Sequence, residues 1–363
     1  MWGRPDTRDP IRSAAAALGS ECLDPGCRRE MLTGRNYPPI HGIRVPAEDM
    51  ARLAGELFET EGVTAEDAAF VADLLVLNDL RCVYSHGTRT LPYYLEHFRH
   101  GSVNPRPRVR VVEEAGSTVV VDGDGGLGYY AAYRAANMTV DKAVEHGVAA
   151  ATTRNHFHIG SAGLYSRLAL ERDCVGMVMS AHRVTPDPEE MILGMASALP
   201  LSAAMPAGKE PPLVLDMGVH LLPGREDLME SFPRVFFKSI GLSAMLTVLG
   251  GIMAGVWRQE FCVPQSKWAS NQGSFIAVFD VKRFMPVVEF KGEIDRHIAA
   301  ARQMKPFPGM DRAELPGGLE WQWERENRES GILVGDEHRQ MLETAAEETG
   351  VESPFGQYED TRF

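Results

Sequence analysis

The sequence has few of the features that mark disulfide-bonded, secreted or nucleic-acid-binding proteins. Its 363 residues contain five cysteines without regular spacing, so we expect a reducing compartment and no disulfide framework. The formal net charge of −13 and the lack of a dense basic run argue against a nucleic-acid partner. The N-terminus has no apolar segment of the signal-peptide kind. We therefore expect a cytoplasmic protein that binds no nucleic acid.

Long hydrophobic runs are also scarce. The longest, residues 240–257, is rich in glycine and alanine and carries a serine and a threonine. Because this run is marginal in length and lacks interfacial anchors, it predicts a buried helix instead of a membrane span. The composition, 44% hydrophobic and 24% charged, is typical of globular proteins, and the length allows two or three lobes.

The N-terminal part divides into a polar extension and a helical region. Residues 1–44 mix Arg, Asp, Pro, Gly and Cys, which predicts a poorly ordered extension. Apolar residues then recur at helical spacing over 45–62 and 64–80, and Thr64 is a suitable N-cap for the second helix. A last amphipathic helix is predicted over 337–349.

Two histidines lie at the centre of the chain, between a predicted strand and a predicted helix. Residues 147–153 are small or β-branched and predict a buried strand, and 164–171 have helical periodicity. His156 and His158 therefore lie on a strand-to-helix loop, a common place for ligand-binding groups. Histidine can give or take the proton that accompanies hydride transfer to a carbonyl. From the residues alone, a structural role and metal ligation stay open as alternatives.

A second polar cluster follows the second helix, at residues 84–94. Its Ser85, His86 and Arg89 could hydrogen-bond a substrate carbonyl and clamp a carboxylate, which arginine binds through two parallel hydrogen bonds. The alternative is a helix-capping turn with a solvated arginine.

A glycine-rich loop, 123–128, joins a predicted strand over 117–122 to a predicted helix over 129–145. This order suggests a dinucleotide-binding turn, but the glycine spacing does not match the Rossmann pattern. A tight turn that lets the helix pack closely on the strand is the favoured interpretation.

Further strands are predicted over 174–180, 213–218 and 274–280. Asp216 ends the second of these and is suitably placed to receive a ribose hydroxyl. Lys238 lies near the start of the long apolar helix, where a cation opposes the helix dipole, so it could serve a ligand anion.

Seven motifs, taken in order, resemble the malate/L-lactate dehydrogenase family of the second type. That family includes ureidoglycolate, sulfolactate and malate dehydrogenases and the diketogulonate and Δ1-piperideine-2-carboxylate reductases. The resemblance covers about residues 46–350. Its motifs are SHGTRTLPYYL at 85–95, VDGDGGLG at 121–128, RNHFHIGSAGLY at 154–165, PPLVLDMG at 211–218, KSIGL at 238–242, NQGSFIAVFD at 271–280, and LPGG with ERENRESGI within 315–332.

The resemblance implies an α/β fold of the L-sulfolactate dehydrogenase type, distinct from the Rossmann fold. It implies a mixed sheet surrounded by helices, with a helical lobe from the N- and C-terminal parts, in a homodimer. The implied lobes are a helical lobe of 45–104 with 337–350, a central substrate and dimer lobe of 105–150 with 274–336, and a cofactor lobe of 151–273.

The implied activity is NAD- or NADP-dependent interconversion of a small 2-hydroxy acid, or a related 2-imino acid, with its 2-oxo form. The motifs carry residue roles with them and include no metal site. These roles are His158 as general acid/base with His86 as the second catalytic histidine; Ser85, Arg89, Tyr94 and His156 on the substrate side; and His182, Asp216, Met217, Gly218 and Lys238 on the cofactor side.

Three departures from the family pattern concern the active site. The family's carboxylate-binding arginine sits where this chain has Thr90, one residue after Arg89. The usual Gly-x-Asn-Pro is here Ser-Ala-Leu-Pro at 197–200, and the stretch between Asp216 and Lys238 is shorter than usual. They keep open a catalytically altered or inactive cofactor-binding homologue as the alternative function. A metal-dependent hydrolase or lyase using His156 and His158 is a third possibility.

Overall fold

The computed structural model describes residues 37–185, 187–189, 192, 199–219, 226–307, 310 and 312–363. These residues form a large sheet, a small two-stranded sheet and surrounding helices. The strands are β1 Gly42–Val45, β2 Arg110–Ala115, β3 Thr118–Asp122, β4 Val148–His156, β5 Cys174–His182, β6 Leu199–Met205, β7 Leu213–Val219, β8 Gln272–Asp280 and β9 Ile332–Gly335. The helices are α1 Ala47–Thr60, α2 Ala65–Leu80, α3 Leu91–Arg99, α4 Gly128–His146, α5 Gly163–Ser166, α6 Glu226–Ser231, α7 Pro233–Leu246, α8 Val287–Arg302, α9 Gly318–Ser330 and α10 Asp336–Thr349.

The large sheet has seven strands in the order β2-β3-β4-β8-β5-β6-β7. Only β3 and β4 run parallel, and α4 is the crossover between them. The other neighbouring pairs are antiparallel. Such a mixed sheet differs from the all-parallel doubly wound arrangement, and it agrees with the predicted fold.

The helical lobe joins the two ends of the described chain. β1 pairs antiparallel with β9, so that Ile43 lies opposite Val334 in a fully buried position. α1 packs against α2 and α10. Residues 42–44, the end of the segment predicted to be poorly ordered, belong to β1, and its residues 1–36 lie outside the described part of the chain.

The large sheet contains strands from the segments predicted as the central lobe and as the cofactor lobe. β8 comes mostly from the segment assigned to the central lobe and lies between β4, which spans the predicted boundary after residue 150, and β5, which comes from the cofactor lobe. Backbone pairing decides this arrangement, because β8 exchanges hydrogen bonds with both neighbours along nearly its whole length.

The prediction of a buried helix over 240–257 is wrong for most of that helix's surface. The helix comprises α7 and a π-helical extension, Thr247–Ile252. Phe236 and Leu246 are buried, whereas Phe237 is 73% exposed, because the sheet covers only one face. By length and composition the helix could cross a membrane, with a mean hydropathy of 1.7, and 28% of it is buried among the described residues.

Candidate active site

A cavity of about 650 Å³ lies where the loop after β4, the end of β5, the strand β7 and the turn Tyr84–His86 meet. Its volume is typical of small-molecule and cofactor sites. The lining residues come from segments far apart in sequence. They are Val83, Ser85, His86, His158, Ile159, Gly160, Ser161, Ala162, Arg167, Ser180, Ala181, His182, Pro200, Asp216, Met217, Gly218, Gln272 and Glu320.

His158 lines this cavity, and its Nδ1 contacts protein groups on the side away from the cavity. Tyr94 Oη lies 2.6 Å from that nitrogen and 3.1 Å from Tyr129 Oη. The Gly160 N–H lies 3.3 Å from the same nitrogen and donates to it only in the tautomer that carries the ring proton on Nε2. Burial, reinforced by the charge of neighbouring His86, lowers the pKa of His158 to about 3. The ring is therefore neutral near pH 7, and Nε2 is the nitrogen left for a ligand.

His86 faces His158 across the cavity, with ring centroids 5.6 Å apart and nearly parallel planes. Ser85 Oγ lies 2.9 Å from His86 Nδ1. The buried Asn78 links the two histidine segments: its Nδ2 donates to the His86 carbonyl at 2.7 Å, and its Oδ1 accepts from Ser161 Oγ at 2.9 Å. Asn78 thereby fixes the spacing of the two loops.

His156 lies behind the cavity and is fully buried. Its Nδ1 is 2.7 Å from the Phe157 carbonyl, to which it donates, and its Nε2 is 2.7 Å from Thr153 Oγ1. Both ring nitrogens are thus engaged by the protein, so the ring supports the loop of His158 and does not converge with it on a ligand. Burial lowers the pKa of His156 to about 4.

This burial makes a testable prediction about acid stability. Below pH ~6.5 the unfolded chain binds a proton at His156, whereas the folded chain does not bind it until the pH reaches about 4. The free energy of unfolding is therefore unaffected by this group above pH ~6.5 and decreases as the pH falls towards about 4. We expect the free energy of unfolding of the wild type to fall more steeply with acidification than that of His156→Gln, by about 1.4 kcal/mol per pH unit. Urea unfolding between pH 4 and pH 7 measures both slopes, and equal slopes would refute the assignment.

The opposite wall carries the residues predicted for the cofactor. His182 ends β5, and Asp216, Met217 and Gly218 lie on β7, all lining the cavity. Asp216 Oδ2 accepts the Gly163 N–H at 3.0 Å, and burial raises the pKa of Asp216 to about 6. A carboxylate here can accept the hydroxyl of a ribose, and the cavity volume is within the range of cofactor sites.

Besides His156, three predicted site residues lie outside the cavity lining. Arg89 is exposed and points to Glu337, with Nη2 3.4 Å from Oε2. Lys238 is an exposed residue of α7 outside the cavity lining. Tyr94 is fully buried and contacts His158 instead of the cavity. Thr90 stands where the family has its carboxylate-binding arginine, and the neighbouring Arg89 does not replace that arginine in the cavity.

The glycine loop serves packing, as the favoured interpretation predicted. Its residues 123–128 do not line the cavity. The Gly128 N–H donates to the His158 carbonyl at 2.9 Å, and a Cβ at this position would come within 2.7 Å of His156 Nδ1. The glycine lets α4 begin directly against the histidine loop.

Sequence reasoning assigned no role to several residues of the site or its support, among them the polar side chains of Asn78, Arg167, Gln272 and Glu320. Asn78 had a usable signal, since it interrupts the apolar positions of α2. The sequence around the other three residues gave no such signal, because its pattern fits a solvated helix or the end of a strand.

A family model described as malate/L-lactate dehydrogenase matches residues 45–222 and 228–343. The chain belongs to this family. The match includes every segment that lines the cavity, and it confirms the resemblance carried by the seven motifs. The shortened stretch after Asp216 falls at the break in the match, and residues 220–225 of that stretch lie outside the described residues, as do Ser197 and Ala198.

Relatives of this malate/L-lactate dehydrogenase family member extend over most of its length. A malate dehydrogenase of Pyrococcus horikoshii is 29% identical over 356 residues, which are 88% of this chain and 99% of the relative. An L-sulfolactate dehydrogenase of Methanocaldococcus jannaschii is 26% identical over 341 residues, 84% of this chain and 96% of the relative. The solved structure of malate dehydrogenase from Pyrococcus horikoshii OT3 superposes with a TM-score of 0.73 at 30% identity, covering 87% of this chain and 98% of that one. These relatives are oxidoreductases by name, and the fold prediction is confirmed.

Proposed function

We propose that this protein is an NAD- or NADP-dependent oxidoreductase that interconverts a small 2-hydroxy acid, or a related 2-imino acid, with its 2-oxo form. The observation that carries the proposal is His158, which lines a cavity of cofactor size while Tyr94 Oη holds its Nδ1 at 2.6 Å. A histidine whose second nitrogen is held in this way is oriented for proton transfer at Nε2.

The proton chemistry follows from the hydrogen bonds of the chain. In oxidation, neutral His158 takes the hydroxyl proton at Nε2 while its Nδ1–H donates to Tyr94 Oη. In reduction, the imidazolium returns that proton to the substrate oxygen. A phenolic hydroxyl both donates and accepts, so Tyr94 Oη can accept from Nδ1–H in both forms of the ring while it donates to Tyr129 Oη.

A bound substrate carboxylate favours the imidazolium, which raises the pKa of His158 from its ligand-free value of about 3. His86, held by Ser85 and Asn78, is placed to donate to or accept from the reacting oxygen.

The nicotinamide cofactor would lie between the histidines and β7, with Asp216, Met217, Gly218 and His182 as its contacts. When bound, it supplies or accepts the hydride. The donor set fits such a ligand, because a buried carboxylate for a ribose hydroxyl stands beside a glycine whose backbone a cofactor can approach. We also propose a cytoplasmic homodimer, and the largely exposed apolar face of α7 is available for the partner subunit.

The proposal predicts cofactor binding followed by turnover. We expect NADH or NADPH fluorescence to change on titration with the protein, and we expect oxidation of the bound cofactor when 2-oxo acids such as pyruvate or oxaloacetate are added. Absorbance at the reduced-nicotinamide band follows the turnover. Binding without turnover across a panel of 2-oxo and cyclic 2-imino acids would favour the inactive cofactor-binding homologue, which the placement of Arg89 outside the cavity supports. The absence of any binding would contradict both functions.

A further inference from the structure

The cavity contains one arginine that no motif assigns. Of the described residues that line it, Arg167 is the only lysine or arginine, and it faces the carboxyl groups of Asp216 and Glu320. Arg167 follows α5 directly, in the short helical segment Arg167–Arg172. The β7 strand and α9 bring the two carboxyl groups to it. An arginine in a partly buried ligand cavity is costly to desolvate unless it gains a partner there.

The guanidinium of Arg167 has unused hydrogen-bonding capacity. Its Nη1 donates to the Gly163 carbonyl at 3.1 Å. In the part of the chain that the structure describes, Arg167 forms no ion pair within 4.0 Å, and the carboxyl groups of Asp216 and Glu320 act on its charge from farther away. A guanidinium carries five N–H donors in a planar fork, so most of them remain for a ligand. Burial lowers the pKa of Arg167 only to about 10, and the group keeps its positive charge near pH 7.

Gly163 brings Arg167 and Asp216 to one point of the cavity wall. A Cβ on Gly163 would come within 2.5 Å of Arg167 Nη1 and 2.8 Å of Asp216 Cγ. Because glycine has no side chain, the guanidinium of Arg167 and the carboxyl group of Asp216 both fit against the backbone of Gly163. One wall thus presents an acceptor for hydroxyls beside a forked donor for an anion, while His158 and His86 form another wall of the same cavity.

The exposed Arg89 cannot fill this role from its position. Its guanidinium lies outside the cavity and is paired with an exposed carboxylate, Glu337. Among the described residues that line the cavity, Arg167 is consequently the one permanent positive charge that an entering carboxylate or phosphate would meet. Arginine matches the planar oxygens of both anions through two parallel hydrogen bonds.

We propose that Arg167 is the anion-binding residue of this cavity and holds a carboxylate or phosphate oxygen of the bound ligand. The inference rests on the proposed function, because the two sources of that anion are the 2-oxo or 2-hydroxy acid and the dinucleotide. Arg167 thereby determines which anionic ligands the cavity accepts.

The test compares Arg167→Met with Arg89→Met as the matched control. Methionine keeps an unbranched apolar stem of similar reach and removes the charge and the fork. We expect Arg167→Met to weaken binding of the anion by about 30-fold or more, the usual consequence of truncating one partner of a desolvated charge pair. We expect Arg89→Met to stay within about 2-fold of the wild type, because a surface pair contributes little.

The measurements separate the two sources. A rise in KM for the 2-oxo acid with unchanged NADH and NADPH affinity assigns Arg167 to the substrate carboxylate. A loss of NADH or NADPH affinity assigns it to a cofactor phosphate. Arg167→Lys, which keeps the charge without the fork, is expected to fall between Arg167→Met and the wild type, and it serves as the second variant if Arg167→Met does not fold.

Failure of the proposed function has a different signature. A wild type that turns over no substrate and binds neither NADH nor NADPH would contradict the oxidoreductase. The arginine would then be tested by calorimetric titration of wild type and Arg167→Met with malonate and with inorganic pyrophosphate. Anion binding that disappears in Arg167→Met supports the inference, and equal behaviour of the two proteins towards all of these ligands overturns it.

Discussion

Replacing His158 with glutamine is expected to lower turnover by about 10²- to 10⁴-fold, the usual contribution of a positioned acid/base group. Glutamine can still hydrogen-bond Tyr94 and the substrate oxygen, but it cannot carry the proton. The affinity for NADH or NADPH should stay within about 2-fold of the wild type, since the predicted cofactor contacts lie on β5 and β7. Steady-state rates and fluorescence titration measure the two effects separately.

His146→Gln is the matched control for this variant. His146 ends α4, far from the cavity lining, and its side chain is 38% exposed. We expect its turnover to equal that of the wild type. A His158→Gln variant that kept turnover within about 3-fold of the wild type would remove this histidine from the mechanism.

Gly87→Ala is expected to damage both stability and activity, because the residue after His86 has no room for a side chain. A Cβ there would overlap Asp79 Oδ1 and come within 2.6 Å of Asp79 Cγ. Asp79 is fully buried and bound by the Thr88 N–H at 3.0 Å and by Thr88 Oγ1 at 2.6 Å. The carboxyl group therefore cannot retreat, and the turn that carries His86 must move.

Overpacking of this kind typically costs about 1–3 kcal/mol. We expect Gly87→Ala to lose that much free energy of unfolding in urea, together with most of its turnover, because His86 would no longer face His158. Gly55→Ala is the control. Gly55 lies in α1 with nothing within 4 Å of a Cβ, and alanine in a helix should increase stability by about 0.4–1 kcal/mol. Equal stability of Gly87→Ala and the wild type would show that the turn adapts.

Much of the secondary structure could be predicted because local patterns determine it. Thr64 caps α2 as predicted, and its hydroxyl accepts the Asp67 N–H at 3.2 Å. The strands β3, β4, β5, β7 and β8 lie where small, β-branched and apolar runs placed them, within a few residues. β6, with the sequence LPLSAAM, escaped prediction because its small and polar residues give no clear period, and only pairing with β5 and β7 makes it a strand.

The apolar helix shows where local pattern misleads. Composition alone indicated burial for residues 240–257, but burial depends on what packs against a helix. Here the sheet covers one face, with Leu246 fully buried, and leaves Ile252 59% exposed. No property of the sequence of α7 itself carries that information.

For the site, the sequence by itself determined which two histidines meet at the cavity: an ordered set of motifs singled out His158 and His86, and both line it. Only the tertiary structure decided their partners. In the folded protein Tyr94 and His156 are buried and support the histidine loop, Arg89 is exposed, and Arg167 lines the cavity. The physical reason is that a motif records neighbours along the chain, whereas the charge and hydrogen bonds of a cavity come from segments that meet only after the sheet has formed.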